Sequence, residues 1–204
     1  MLAGASVFQV PMGPDEDLFA NLEQAWRRAH PQPRVIVLSF PHNPTTATVE
    51  LEFMERVVAF AREHEVVVVH DFAYADLAFD GHEPPSILQV PGADEVAVEL
   101  YTLTKSFSMA GWRVGFLCGN ARLVAALARL KSWLDYGTFQ PIQIAAITAI
   151  NEAPETPREV AEIYRSRRDT LCDGLARVGW DVPRPRGTMF AWARVPEPFR
   201  ACGS

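Results

Sequence analysis

Two apolar runs, VIVLSF at Val35 to Phe40 and VVVV at Val66 to Val69, constrain this chain more than anything else in it. Neither alternates polar with apolar, so each predicts a strand buried on both faces, the condition of a parallel sheet covered by helices. Between them, Val49 to about His64 sets Leu51, Met54, Val57, Val58 and Ala61 at helical spacing, with Glu50 and Glu52 in the first turn where they complement the dipole. Strand, helix, strand is a crossover unit, so the fold class is α/β.

The remaining pattern extends that unit. Asp17 to His30 places Leu18, Leu22, Ala25 and Ala29 on one helical face, closed by Pro31 and Pro33. Val96 to Thr102 and Val114 to Cys118 read as two more strands, and their short connection suits an antiparallel pair, which makes the sheet mixed. Helices follow at Ala121 to Tyr136 and Pro141 to Ile150. Thr156, Pro157 and Glu159 then form a predicted capping box at the start of a long helix running to about Val178. Thr188 to Val195 is strand-like. A domain boundary is expected near residue 151, dividing a larger unit at 1–150 from a linker helix and the start of a smaller α+β unit at 151–204.

Composition narrows the function classes. The 204 residues carry a formal charge of -6, against the basic excess that a nucleic-acid or anionic-membrane surface requires. Cys118, Cys172 and Cys202 are odd in number, far apart and without a CxxC pair, so neither a disulfide framework nor a zinc site is indicated. No basic segment precedes an apolar run at the start and no stretch approaches a membrane span, which leads to the expectation of a soluble, cytoplasmic protein.

In open α/β sheets ligands bind beyond the carboxyl ends of the strands. After VIVLSF comes Asn43, after VVVV come Asp71 and Tyr74, and after the third strand come Thr102, Thr104 and Lys105, with Arg113 eight residues beyond the lysine. Each has an ordinary reading alone: an Asn-Pro turn, a helix-capping Asp, a packing Tyr, a solvated strand-end Lys. Together they ask for a ligand with an aldehyde for Lys105, a basic ring nitrogen for Asp71, a phenolic oxygen for Asn43 and Tyr74, and a phosphate for Arg113 and nearby hydroxyls. Pyridoxal 5'-phosphate has all four.

The ordered set NP, DxxY, TxTKS and GWRVGF closely resembles the fold type I pyridoxal-phosphate enzymes, in particular the class I/II aminotransferases. HDFAYADLAFDG, the TLTKSFSMAGWRVGF stretch and LDYGTFQP are most similar to the alanine (glutamate-pyruvate) transaminase branch, whose relatives include LL-diaminopimelate aminotransferases. The resemblance implies that Lys105 is the Schiff-base lysine and Asp71 the pyridinium partner. It implies that Tyr74 and Asn43 contact the ring oxygen, Asn43 also facing substrate, and that Thr102, Thr104 and Arg113 hold phosphate. It further implies a large domain of mostly parallel mixed sheet with helices on both faces, amino-acid and 2-oxo acid substrates, and a homodimer.

The family's carboxylate-binding arginine, glycine-containing phosphate loop and ring-stacking aromatic find no match, and neither Arg186 nor Arg194 fits that arginine's motif, so the chain reads as a fragment expected to be inactive alone. Other readings of the same residues are a β-lyase or decarboxylase using the same cofactor, and a non-catalytic sensor. His64 and His70 lack HExxH spacing and read as packing or hydrogen-bonding residues, with His70, next to Asp71, placed to tune the site. Phe107, Met109 and Trp112 are expected to pack around the lysine loop.

Overall fold

The computed structural model describes residues 4–13 and 16–202; the first three residues, the pair at 14–15, the last two residues and the side chains of 201 and 202, Cys202 among them, lie outside the described residues. Helix α1 (Leu18–Arg28) starts where the Asp17 carboxylate accepts the amide protons of Phe19 and Ala20. Strand β1 (Val35–Ser39) leads to α2 (Leu51–Glu63), which buries Met54, Val57, Val58 and Ala61 as the helical spacing requires, while Leu51 stays partly exposed. Strand β2 (Val67–Asp71) runs parallel to β1, pairing Ile36 with Val68 and Ser39 with Asp71. Strand β3 (Ala97–Thr102) is parallel to β2, and β4 (Gly115–Gly119) returns antiparallel beside it, so the sheet is mixed, in the order β1-β2-β3-β4.

The main core lies on one face of that sheet. Ile36, Val68 and Ala97 pack there with Phe19, Met54 and Val57 from the helices. The opposite face is less covered: Val35 is 50% and Val37 70% exposed. The α/β class and mixed sheet match the sequence reading, but among the described residues helices do not close over both faces of β1. Alternation in burial therefore appears in a strand whose sequence does not alternate.

Between β3 and β4 the chain makes the one-turn helix α3 (Leu103–Ser106) and a 3-10 turn at Ala110–Trp112. Leu103 and Met109 bury against Ala146, with Phe107 at the margin, whereas Trp112 is 48% exposed and does not pack as expected. Gly115 has a steric role: a Cβ there would stand 2.5 Å from the Tyr101 carbonyl oxygen.

Helices α4 (Ala121–Leu134), α5 (Gln140–Glu152) and α6 (Thr156–Arg177) complete the regular structure. The expected capping box at Thr156 is not made. Thr156 already donates its amide to the Ala153 carbonyl, and the cap position falls to Glu155, whose helical backbone and side chain make no cap. Nor is Thr188 to Val195 a strand. An isolated bridge, Ala78 to Gly187, precedes it and the Thr188 amide bonds to the Leu77 carbonyl at 2.7 Å, but among the described residues no strand pairs along its length, so there is no ladder to stabilise extended backbone. That end is tied down by Arg168, whose guanidinium reaches Asp80 at 2.6 Å and the Pro185 carbonyl at 3.0 Å.

Candidate active site

The carboxyl ends of the three parallel strands point to one end of the sheet, and the predicted residues follow them. Beyond β2, Ala75 bonds back to Phe72 and Leu77 to Tyr74, two successive turns that leave Tyr74 5% exposed against Leu77 and Val160. The Asn43 amide nitrogen donates to Tyr74 Oη at 3.4 Å, which joins the segment after β1 to the segment after β2. Lys105 brings in the third, its Nζ 6.0 Å from the centroid of the Tyr74 ring.

Tyr74 is held as a neutral phenol. Burial pushes its pKa up, the Asn43 hydrogen bond draws it partly back, and the nearby Asp71 charge raises it further. Because Asn43 donates to its oxygen, the phenolic proton is available to another acceptor. Asp71 spends one carboxylate oxygen on the Ala73 amide at 3.2 Å. Among the described residues, neither Asp71 nor Lys105 has an ion-pair partner, although Lys105 is half-buried.

Thr102 and Thr104 are gathered with the lysine by local bonds. Thr102 Oγ1 accepts the Thr104 amide at 3.2 Å and lies 2.9 Å from Thr104 Oγ1 and 3.2 Å from the Val114 carbonyl. Arg113 precedes that carbonyl. It is exposed, has left-handed backbone and donates to Ala110 O at 3.2 Å, with no bond to another predicted site residue. The structure thus bonds Asn43 to Tyr74, places Asp71 at the end of β2 where its charge acts on Tyr74, sets Lys105 beside Tyr74, and holds Thr102 and Thr104 in the lysine's own loop. Arg113 belongs to that loop but is turned to its own backbone.

Two connections were not foreseen from sequence. Tyr101 donates to Asp76 at 2.5 Å, tying the lysine strand to the Tyr74 turn. His70 and Glu99 form a buried pair behind Asp71, 2.9 Å apart, and the glutamate inside the apolar run of β3 was the signal for it. The hollow between Phe79–Asp80 and α6 is lined by none of the predicted residues and is unrelated to this site.

Residues 1–201 match the family model described as aminotransferase class I and II. The chain is 53% identical over its whole length to a glutamate-pyruvate aminotransferase, AlaC, of Escherichia coli K12, of which it covers 50%. It is 40% identical over 98% of its length to an LL-diaminopimelate aminotransferase of Gloeobacter violaceus, covering 51% of that protein. Among solved structures, a probable N-succinyldiaminopimelate aminotransferase from Thermus thermophilus superposes with a TM-score of 0.86 at 34% identity, over 96% of this chain and 52% of that one. The chain spans about half the length of the curated relatives it matches.

Proposed function

Since the chain belongs to the class I and II aminotransferases, whose members use pyridoxal phosphate, we propose that it carries the cofactor-binding part of an enzyme moving an amino group from an amino acid to a 2-oxo acid. The observation that carries this reading is the position of Lys105: a half-buried amine without an ion-pair partner among the described residues, 6.0 Å from the ring of a phenol that Asn43 already engages.

The donor set suits the cofactor. An amine and a carboxylate at one sheet end, neither ion-paired among the described residues, are what a ligand with an aldehyde and a basic ring nitrogen would complement. When bound, pyridoxal phosphate supplies the carbonyl that takes up amines and a protonated ring that accepts the electron pair left at the substrate Cα. Asp71 would hold the ring-nitrogen proton. Tyr74 would donate its free phenolic proton to the ring oxygen, with Asn43 fixing the phenol's direction. Lys105 would take the proton from Cα and deliver it on the other side of the exchange. Thr102, Thr104 and Arg113 are the proposed phosphate contacts, Arg113 after turning from Ala110.

Identity to the glutamate-pyruvate enzyme supports alanine and glutamate as amino donors, with pyruvate and 2-oxoglutarate as the corresponding acceptors. Homodimerisation and a cytoplasmic setting belong to the same proposal; no helix among the described residues is long and apolar enough to cross a membrane. So does the division at about residue 151, which the break between α5 and α6 supports.

The test uses the chain's two lysines, Lys105 and Lys131. Borohydride reduction in the presence of pyridoxal phosphate, followed by peptide mapping, is expected to leave the pyridoxyl group on Lys105. Lys131, paired with Asp135 at 2.5 Å, is the internal control, and an adduct there alone refutes the assignment. Transfer to pyruvate or 2-oxoglutarate, against elimination or decarboxylation, separates the aminotransferase from other chemistries of the cofactor.

A further inference from the structure

His70 is 0% exposed and Glu99 6%, on the sheet face otherwise occupied by Ile36, Val68 and Ala97. His70 Nδ1 lies 2.9 Å from Glu99 Oε2, and Nε2 lies 3.1 Å from the Phe40 carbonyl oxygen. A carbonyl only accepts, so Nε2 carries a proton. Glu99 Oε2 also accepts from the Ile87 amide at 3.1 Å and the Ser86 hydroxyl at 2.8 Å, the surroundings of an ionised carboxylate, so Nδ1 donates as well. The ring has a donor's task at both ends.

Such a pair is a poor way to gain stability. Desolvating both charges offsets much of their attraction, and apolar residues fill the rest of this face. Its connections account for it differently. Phe40 is the root of the segment that carries Asn43, Asp71 is the residue after His70, and Glu99 is on the strand leading to Lys105. One ring therefore ties all three parallel strands together, reaching the middle of β3 and the residue that follows β1.

We propose that His70 is a positioning residue whose doubly protonated imidazolium clamps the Phe40 carbonyl to the Glu99 carboxylate and thereby fixes the Phe40–Asn43 segment against Tyr74. The clamp deepens the proposed function and takes its meaning for cofactor binding from that reading, but its existence is measurable without the cofactor.

In the 15N-labelled full chain without ligand, long-range nitrogen-proton spectra are expected to show both His70 ring nitrogens protonated. A ring nitrogen in the unprotonated range overturns the clamp. Glu99→Gln is expected to release the proton from Nδ1 while Nε2, facing Phe40, keeps its own; a tautomer with the proton on Nδ1 overturns the assigned role of Phe40. His70→Leu keeps similar volume and removes both donors. It is expected to speed amide exchange at His42 and Thr46, whose N–H groups bond within this segment, and to weaken pyridoxal phosphate binding about tenfold, the size of effect seen when a supporting shell is removed. If that variant does not fold, His70→Gln, which can serve one acceptor but not both, is read the same way. Unchanged exchange with unchanged affinity refutes the positioning role. A wild-type chain that takes up no pyridoxal phosphate refutes the functional reading instead, and the clamp is then decided by the ring spectra and exchange alone.

Discussion

Tyr101 and Asp76 are 25 residues apart in sequence and joined by a 2.5 Å hydrogen bond, so the strand that leads to the lysine is tied directly to the turn that carries Tyr74. Burial first, and then the Asp76 carboxylate, hold the Tyr101 phenol well above its ordinary pKa, which keeps the donating proton in place. Tyr101→Phe retains the ring that stacks on Phe116 and removes the bond. The expected loss is about 1 kcal/mol of unfolding free energy in urea titration, and adding Asp76→Asn to the Tyr101→Phe variant is expected to cost little more.

Asp71→Ala removes the carboxylate proposed to hold the ring-nitrogen proton and leaves the other cofactor contacts intact. In a form of the protein that turns over, kcat is expected to fall by on the order of 100-fold or more, with a much smaller change in pyridoxal phosphate affinity. Steady-state kinetics beside a cofactor titration read the two separately. A near-normal rate would contradict the role.

Acid is expected to destabilise the protein through two histidines. Burial lowers the pKa of His42, and burial followed by the Arg186 charge lowers that of His82, with Glu50 acting the other way. A lowered histidine pKa means that the unfolded chain binds more protons, so stability rises with pH. The contribution is therefore full above about 6.5, the ordinary histidine value, and lost as pH falls from there through the folded values. Thermal melts from about pH 7.5 to about pH 5 should show a falling Tm, and the slope should flatten in the His42→Gln, His82→Gln double variant.

Gly115→Ala tests whether the return into β4 depends on close backbone contact. The added methyl would stand 2.5 Å from the Tyr101 carbonyl oxygen, so β3 and β4 must separate or the strand must shift. An overpacking cost of about 1–3 kcal/mol is expected, with loss of slow amide exchange in β4. Gly111→Ala, where a Cβ meets nothing within 4 Å, is the control and should change little.

Much of this was legible in the sequence, for identifiable reasons. Val35–Ser39 and Val67–Asp71 could be read as strands because both are short, β-branched apolar runs, and α2 because its core face repeats with helical period. Asn43, Tyr74 and Lys105 could be grouped because each follows a strand of the same sheet. The Asp76–Tyr101 bond could not, since it depends on the two tight turns after Phe72. Glu99 was a missed signal: an acid in the middle of an apolar strand must find a donor if buried, and His70 was the available one. Thr188 to Val195 has strand composition but no adjacent strand, and Thr156 has cap chemistry but helical backbone, so composition alone misled at both.

The antiparallel return of β4 also sets an order of assembly. Thr102 and Gly115 pair across 13 residues of sequence, whereas Asn43 and Tyr74 are 31 apart and His70 and Glu99 are 29 apart. Closing a shorter loop costs less chain entropy, and local contacts form sooner than distant ones. The lysine's hairpin can therefore close before the links from Asn43 and His70, which places Lys105 first and brings Asn43 and the His70–Glu99 pair to it afterwards.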